Sequence, residues 1–171
     1  GRWHHLPDFD SGFIRTLLET DPIGYKSNHP DFSIWTQGNG LWEYRPNLTD
    51  KSSDFADGVH QADNLAAGDR GLQFQSDGEG EATFEVFTPW IIVPKVNDLD
   101  DPDDDTDAAV LSFEPATKTT VSLSTDHGHS WQEVTEALPG PQQIDLTQWV
   151  KGTYGYLLKF SARGRTGDPM L

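Results

Sequence analysis

The tightest constraint on the fold lies between residues 120 and 134. Thr120-Val-Ser-Leu-Ser-Thr125 alternates apolar and polar residues, the two-residue period of a strand with one face buried. Ser124-Thr-Asp-His-Gly-His-Ser-Trp131 interrupts that period, and Trp131-Gln-Glu-Val134 resumes it. Asp126 and Gly128 stand at the tip, where the backbone takes conformations that β-branched residues resist. The reading is strand, tight turn, strand. A lone hairpin is marginal in water, so further strands must flank it.

The remaining chain supplies them. Leu72–Ser76 and Glu81–Thr88 read as strands joined by Asp77-Gly-Glu-Gly80, and Ala108–Phe113 as another. Trp90-Ile-Ile-Val93, bounded by prolines, reads as a buried strand. Gln143-Ile-Asp-Leu-Thr-Gln-Trp-Val150 starts extended and ends in a helical turn at residues 147–150. Thr153–Ser161 is a last strong strand. Phe32–Gln37 and Gly40–Arg45 flank Gly38-Asn39, a pair suited to a primed hairpin turn. Residues 1–30 read as irregular, with a short helix capped by Ser11 and carried by Phe13, Leu17 and Leu18. The stretch 47–70 is polar, rich in Asp, Ser and Gly, and reads as a long loop. Short strands with regular turn signals predict an all-β fold: an antiparallel β-sandwich, jelly-roll-like, with a short N-terminal helix.

The spacing Ser124-x-Asp126-x-Gly128-x-x-Trp131 resembles the Asp-box, a hairpin motif of bacterial sialidases and many other secreted β-proteins. It matches at every fixed position over eight residues. The resemblance implies a structural turn remote from catalysis, and a single copy is too few for a sialidase-type propeller. Paired with Asp145-Leu-Thr147 and Gly152-x-Tyr154-x-Tyr156-Leu-Leu-Lys-Phe160, it is similar in kind to galactose-binding-like and carbohydrate-binding modules of secreted bacterial polysaccharide-acting proteins. The similarity covers about the last third of the chain. It implies a fold and a context, secreted or cell-surface, and carries over no ligand-binding residue.

Bulk properties narrow the function classes. At 171 residues the chain is read as one domain, residues 1–171, with a core of its own. Its start at Gly1 and its end at Asp168-Pro-Met-Leu171 suggest a domain excised from a longer protein, with that protein's other domains as partners. Twelve Lys and Arg against 28 Asp and Glu leave a net charge of −16. Such a surface repels phosphate backbones and anionic membranes, which argues against nucleic-acid and membrane partners. No apolar run approaches the roughly 20 residues of a membrane span. Without cysteine, disulfides and thiolate metal sites are excluded.

Two stretches carry candidate sites. In the Phe32–Arg45 hairpin, the expected register sets Trp35 opposite Trp42 and Ser33 opposite Tyr44, with Gln37 on the same face. Indoles offer the apolar C–H face of a sugar a flat, rigid partner. Trp35, Trp42 and Tyr44 are therefore the expected platform, with Gln37 and Arg45 as hydrogen-bonders; the alternative is that both Trp are packed inside. Trp131 is expected to plug its own hairpin, and Trp3, Trp90 and Trp149 are weaker candidates. The second stretch has seven Asp in ten positions, of which Asp98, Asp100, Asp101, Asp103, Asp105 and Asp107 are candidate calcium ligands. Calcium takes several oxygens, and clustered carboxylates repel without a cation. Thr106 and Ser112 depart from the EF-hand pattern, so ligands shared with Asp50, Asp54 or Asp57 are expected. The alternative is a solvated acidic loop. His4-His5 and His127-x-His129 lack a clearly spaced third zinc ligand. Asn47-Leu-Thr49 fits a glycosylation sequon, read as idle.

No nucleophile elbow, phosphate loop, dinucleotide fingerprint or environment-split carboxylate pair is evident. The expectation is a non-catalytic module that binds a polysaccharide or oligosaccharide, stiffened by Ca2+. A structural spacer or protein-interaction domain is the alternative, and a small glycan-active hydrolase or lyase the third reading.

Overall fold

The structure, a computed structural model, describes residues 3–5, 42–88, 91–92 and 109–171, and the statements below concern these. The chain separates into two compact units, Arg2–Arg45 and Pro46–Leu171.

In the first unit, β1 (Trp3–His5) pairs antiparallel with β2 (Trp42–Tyr44). Trp3 lies opposite Tyr44, His4 opposite Glu43 and His5 opposite Trp42. This corrects the irregular reading of residues 3–5. The sequence gives 42–44 a neighbour across Gly38-Asn39, yet the pairing found is long-range, and local turn chemistry does not encode such a partner. The expected arm 32–37, its turn and the helix after Ser11 lie outside the described residues.

The second unit is built of antiparallel strands with two short helices. Two ten-residue strands form its spine: β6 (Gly78–Phe87) and β11 (Gly155–Gly164), paired along their full length. With β3 (Val59–Asp63), β8 (Thr119–Ser124) and β9 (Gln132–Ala137) they make a five-stranded sheet ordered β3-β6-β11-β8-β9. Alternation decides its two faces. Phe84, Leu158 and Leu123 form one buried cross-strand row, Ala82, Phe160 and Val121 the next. The Phe160 ring centroid lies 6.0 Å from Phe84 and 5.4 Å from Phe113, both edge-on, the preferred arrangement for aromatic quadrupoles.

Helix α1 (Asp54–Gly58) adds Phe55 to this core, its ring 6.2 Å from Phe84. Strands β4 (Leu65–Gly68) and β5 (Gly71–Phe74) pair with each other, as do β7 (Val110–Phe113) and β10 (Gln142–Asp145). Phe74, 1% exposed, reaches the five-stranded sheet where glycines leave room. A Cβ on Gly164 would stand 2.3 Å from the Phe74 ring, and one on Gly80 2.8 Å. The last residues close the edge of β5: Leu72 N–H donates to Leu171 O, Met170 N–H to Leu72 O, and Met170 is fully buried. Helix α2 (Thr147–Val150) buries Val150.

Three expectations change. Residues 47–70, read as a loop, contain α1, β3 and β4. β3 is an edge strand whose last four residues are exposed, so selection for alternation is absent. Asp77-Gly-Glu-Gly80 is not a connector for a hairpin: β6 begins at Gly78, and β5 and β6 join different sheets. Ile91 and Ile92 are not in a strand, and Ile91 is 45% exposed.

Candidate functional site

The hairpin between β8 and β9 is tied by its own side chains. Ser124 Oγ donates to Asp126 Oδ1 (2.7 Å) and accepts from Gly128 N–H (2.9 Å). Asp126 then accepts from Ser130 N–H at Oδ1 (2.9 Å) and from Ser130 Oγ at Oδ2 (2.6 Å). The Ser130 hydroxyl, then that of Ser124, then the Ser130 amide hold the Asp126 carboxyl well below the usual carboxylate range. Left-handed backbone falls on His127 (φ 58°) and Gly128 (φ 86°), not on Asp126. Asp126 serves as the acceptor that closes the turn, and His127 takes the strained position, one of the residue types that tolerates it.

The turn delivers Trp131 to the sheet face opposite the core. On that face Gln61, Thr83, Lys159, Ser122 and Glu133 form one cross-strand row, and Asp63, Glu81, Ser161, Thr120 and Glu136 the next. Lys159 Nζ lies 4.2 Å from the centroid of the Trp131 ring and 3.4 Å from Glu81 Oε2. Its side chain is only 19% exposed, so the ammonium is largely withdrawn from water between an indole and a carboxylate. A cation in such a setting is worth about 1 kcal/mol to the ring beneath it. Trp131 stays 36% exposed.

A second aromatic lies further along the same face. Phe87 pairs with Gly155, and a Cβ on Gly155 would meet the Phe87 ring edge at 3.3 Å. The ring therefore covers a glycine, as aromatics do where a strand lacks a side chain. It remains 65% exposed. Leu157, buried, occupies the row between Phe87 and Lys159. Glu85 flanks it, with His60 Nδ1 3.8 Å from the Glu85 carboxylate, at a register shift in β3. The result is a sheet face with two exposed aromatic rings, several carboxylates and hydroxyls, and one clamped lysine.

The expected platform falls elsewhere. Trp35 and Gln37 lie outside the described residues. Trp42 and Tyr44 are in β2, Tyr44 is half-buried, and the exposed Arg45 is ion-paired with Glu43. All belong to the Arg2–Arg45 unit, whereas Trp131 and Phe87 belong to the other. The acidic run with Asp98, Asp100, Asp101, Asp103, Asp105 and Asp107 lies outside the described residues. Of the acidic groups expected to share its cation, Asp54 accepts from Asn47 N–H and Asp57 from Ser53 Oγ. Among the described residues no three His, Cys, Asp or Glu side chains are grouped to hold a metal ion. Trp131 packs against its own turn, as its motif implies, since a Cβ on Gly128 would stand 3.8 Å from its ring, and it is also displayed. Its display was foreshadowed only by Lys159, a charge placed one step out of phase with Leu158 and Phe160.

Comparison with known proteins finds no match: no family model, curated protein or solved structure shows significant similarity to this chain. No helix of the described residues is long and apolar enough to cross a membrane.

Proposed function

We propose that the chain is a non-catalytic carbohydrate-binding module with a jelly-roll-like β-sandwich fold, part of a secreted or cell-surface protein. The observation that carries the reading is Trp131, in contact with Lys159 Nζ at 4.2 Å yet 36% exposed, on a sheet face shared with the 65% exposed Phe87. Exposed rings on a rigid strand scaffold lose little entropy on stacking against a sugar. The hydroxyls and carboxylates of Thr120, Ser122, Ser161, Glu81 and Glu133 around them match the alternating donors and acceptors of a glycan. For the fold, the support is the packing of Phe74 from β5 onto Gly80 and Gly164 of the five-stranded sheet. The acidic run 98–107 is proposed to bind Ca2+, on its carboxylate density alone.

Affinity electrophoresis against a panel of soluble polysaccharides tests the reading. Retardation by at least one glycan is expected, lost in Phe87→Ala and Trp131→Ala variants that melt as the parent does. Absence of retardation throughout would defeat it. A protein-docking role is the second reading, because Phe87, Tyr154 and Ile91 leave 65%, 52% and 45% of their surface exposed. It predicts no retardation and no product release from the same glycans.

A further inference from the structure

The segment Ser130-Trp131-Gln132 has two sides. While Trp131 meets Lys159, Ser130 and Gln132 line a separate half-open cavity of about 190 Å3 between the hairpin and α2. Leu123 and Ser124 contribute from β8, Thr125 follows them, and Gln148 and Trp149 come from α2. We propose that this cavity binds a single uncharged sugar ring. The inference shares its ligand class with the reading above but none of its residues.

Chemistry restricts the occupant. No charged side chain lines the cavity. Of the two carboxylates that adjoin lining residues in sequence, Asp126 is already engaged by Ser124 and Ser130, and Glu133 stands in the outer-face row opposite Ser122. A charged ligand would meet no counter-ion there, and an anionic one would also face the chain's charge of −16. Gln132 and Gln148 each present a donor and an acceptor on one amide, the combination that a sugar hydroxyl complements. Both glutamines are exposed, and neither amide has a hydrogen bond among the described residues. The lining is mostly polar, which suits a ligand rich in hydroxyls, and the half-buried Trp149 contributes one wall. Size sets the length: the space equals roughly six waters and falls below the roughly 300 Å3 of sites that take larger ligands. One ring fits, such as a chain end or a side branch.

The test is a two-dimensional 1H–15N NMR titration of the whole chain at millimolar sugar. D-glucose, D-galactose, D-mannose and N-acetyl-D-glucosamine are the neutral probes, and D-glucuronate is the anionic control. Saturable shifts of the Gln132 and Gln148 side-chain amides and the Trp149 indole N–H are expected with at least one neutral sugar, and none with glucuronate. Replacing both amides, Gln132→Leu with Gln148→Leu, should weaken binding by about tenfold or more, since two hydrogen bonds are lost. Unshifted amides with every neutral probe, equal response to glucuronate, or full affinity in a folded double variant would each overturn the proposal. Because the two sites use different residues, loss of polysaccharide retardation with the amide shifts intact would remove only the outer-face reading.

Discussion

Replacing Lys159 by Met keeps most of the aliphatic stem and removes the charge. Two interactions end: the ammonium over Trp131 at 4.2 Å and the ion pair to Glu81 at 3.4 Å. The first lies between the exposed and desolvated limits for a cation on a ring, about 1 kcal/mol. The second involves a Glu81 side chain 38% exposed, and such pairs contribute between about 0 and 1 kcal/mol. The methionine recovers part of this through its thioether on the indole. A net loss of about 1 kcal/mol follows, or roughly 2–4 °C in melting temperature for a chain of this size. Urea unfolding measures the loss, and the Trp131 indole N–H resonance, assigned by its absence in Trp131→Phe, reports freedom of the ring. Broadening or a shift of that resonance is expected, with the stability gap narrowing in molar salt as the Glu81 pair is screened. An unmoved resonance and an unchanged urea midpoint would show that Lys159 does not fix the indole.

Other consequences are independent of Lys159. The depressed Asp126 carboxyl contributes stability that is fully present above the unfolded carboxylate value of about 4 and is lost as pH falls through its lower folded value. Below about pH 4, Asp126→Asn should therefore lose less stability than the parent, although it is the weaker protein at neutral pH; parallel acid curves would contradict this. Gly164→Ala puts a methyl where the Phe74 ring stands and should cost about 1–3 kcal/mol by overpacking, read as a lower melting temperature with the strand spectrum kept. Chelation by EDTA should lower the melting temperature, and added Ca2+ should restore it; an unchanged melt removes the calcium proposal.

The elements visible in the sequence are those whose period was enforced by burial. β8 alternates because Val121 and Leu123 pack inward while Thr120 and Ser122 do not. The helical turn expected at residues 147–150 is α2, and the strand expected at Thr153–Ser161 is most of β11. What escaped lacked that enforcement. β3 is held by backbone bonds to β6 rather than by a buried face, and the pairing of residues 3–5 with 42–44 spans a separation at which no local signal survives. The site escaped for a related reason. Whether an aromatic is displayed or packed depends on what lies over it, so the Asp-box spacing located Trp131 without showing its exposed face. Phe87 falls out of phase with the buried Ala82 and Phe84, and in the structure its ring lies over Gly155.

The central claim is that exposed aromatic surface on the outer sheet face is binding surface. Trp131 shows 36% of an indole side chain that presents up to about 250 Å2, hence roughly 90 Å2. Covering all of it with sugar is worth about 2 kcal/mol, or roughly thirtyfold in affinity. Calorimetric titration of the retained glycan into the parent and into Trp131→Ala measures this directly. The account predicts weakening of up to roughly thirtyfold at unchanged stoichiometry and fold. Equal affinity for the two proteins would contradict it.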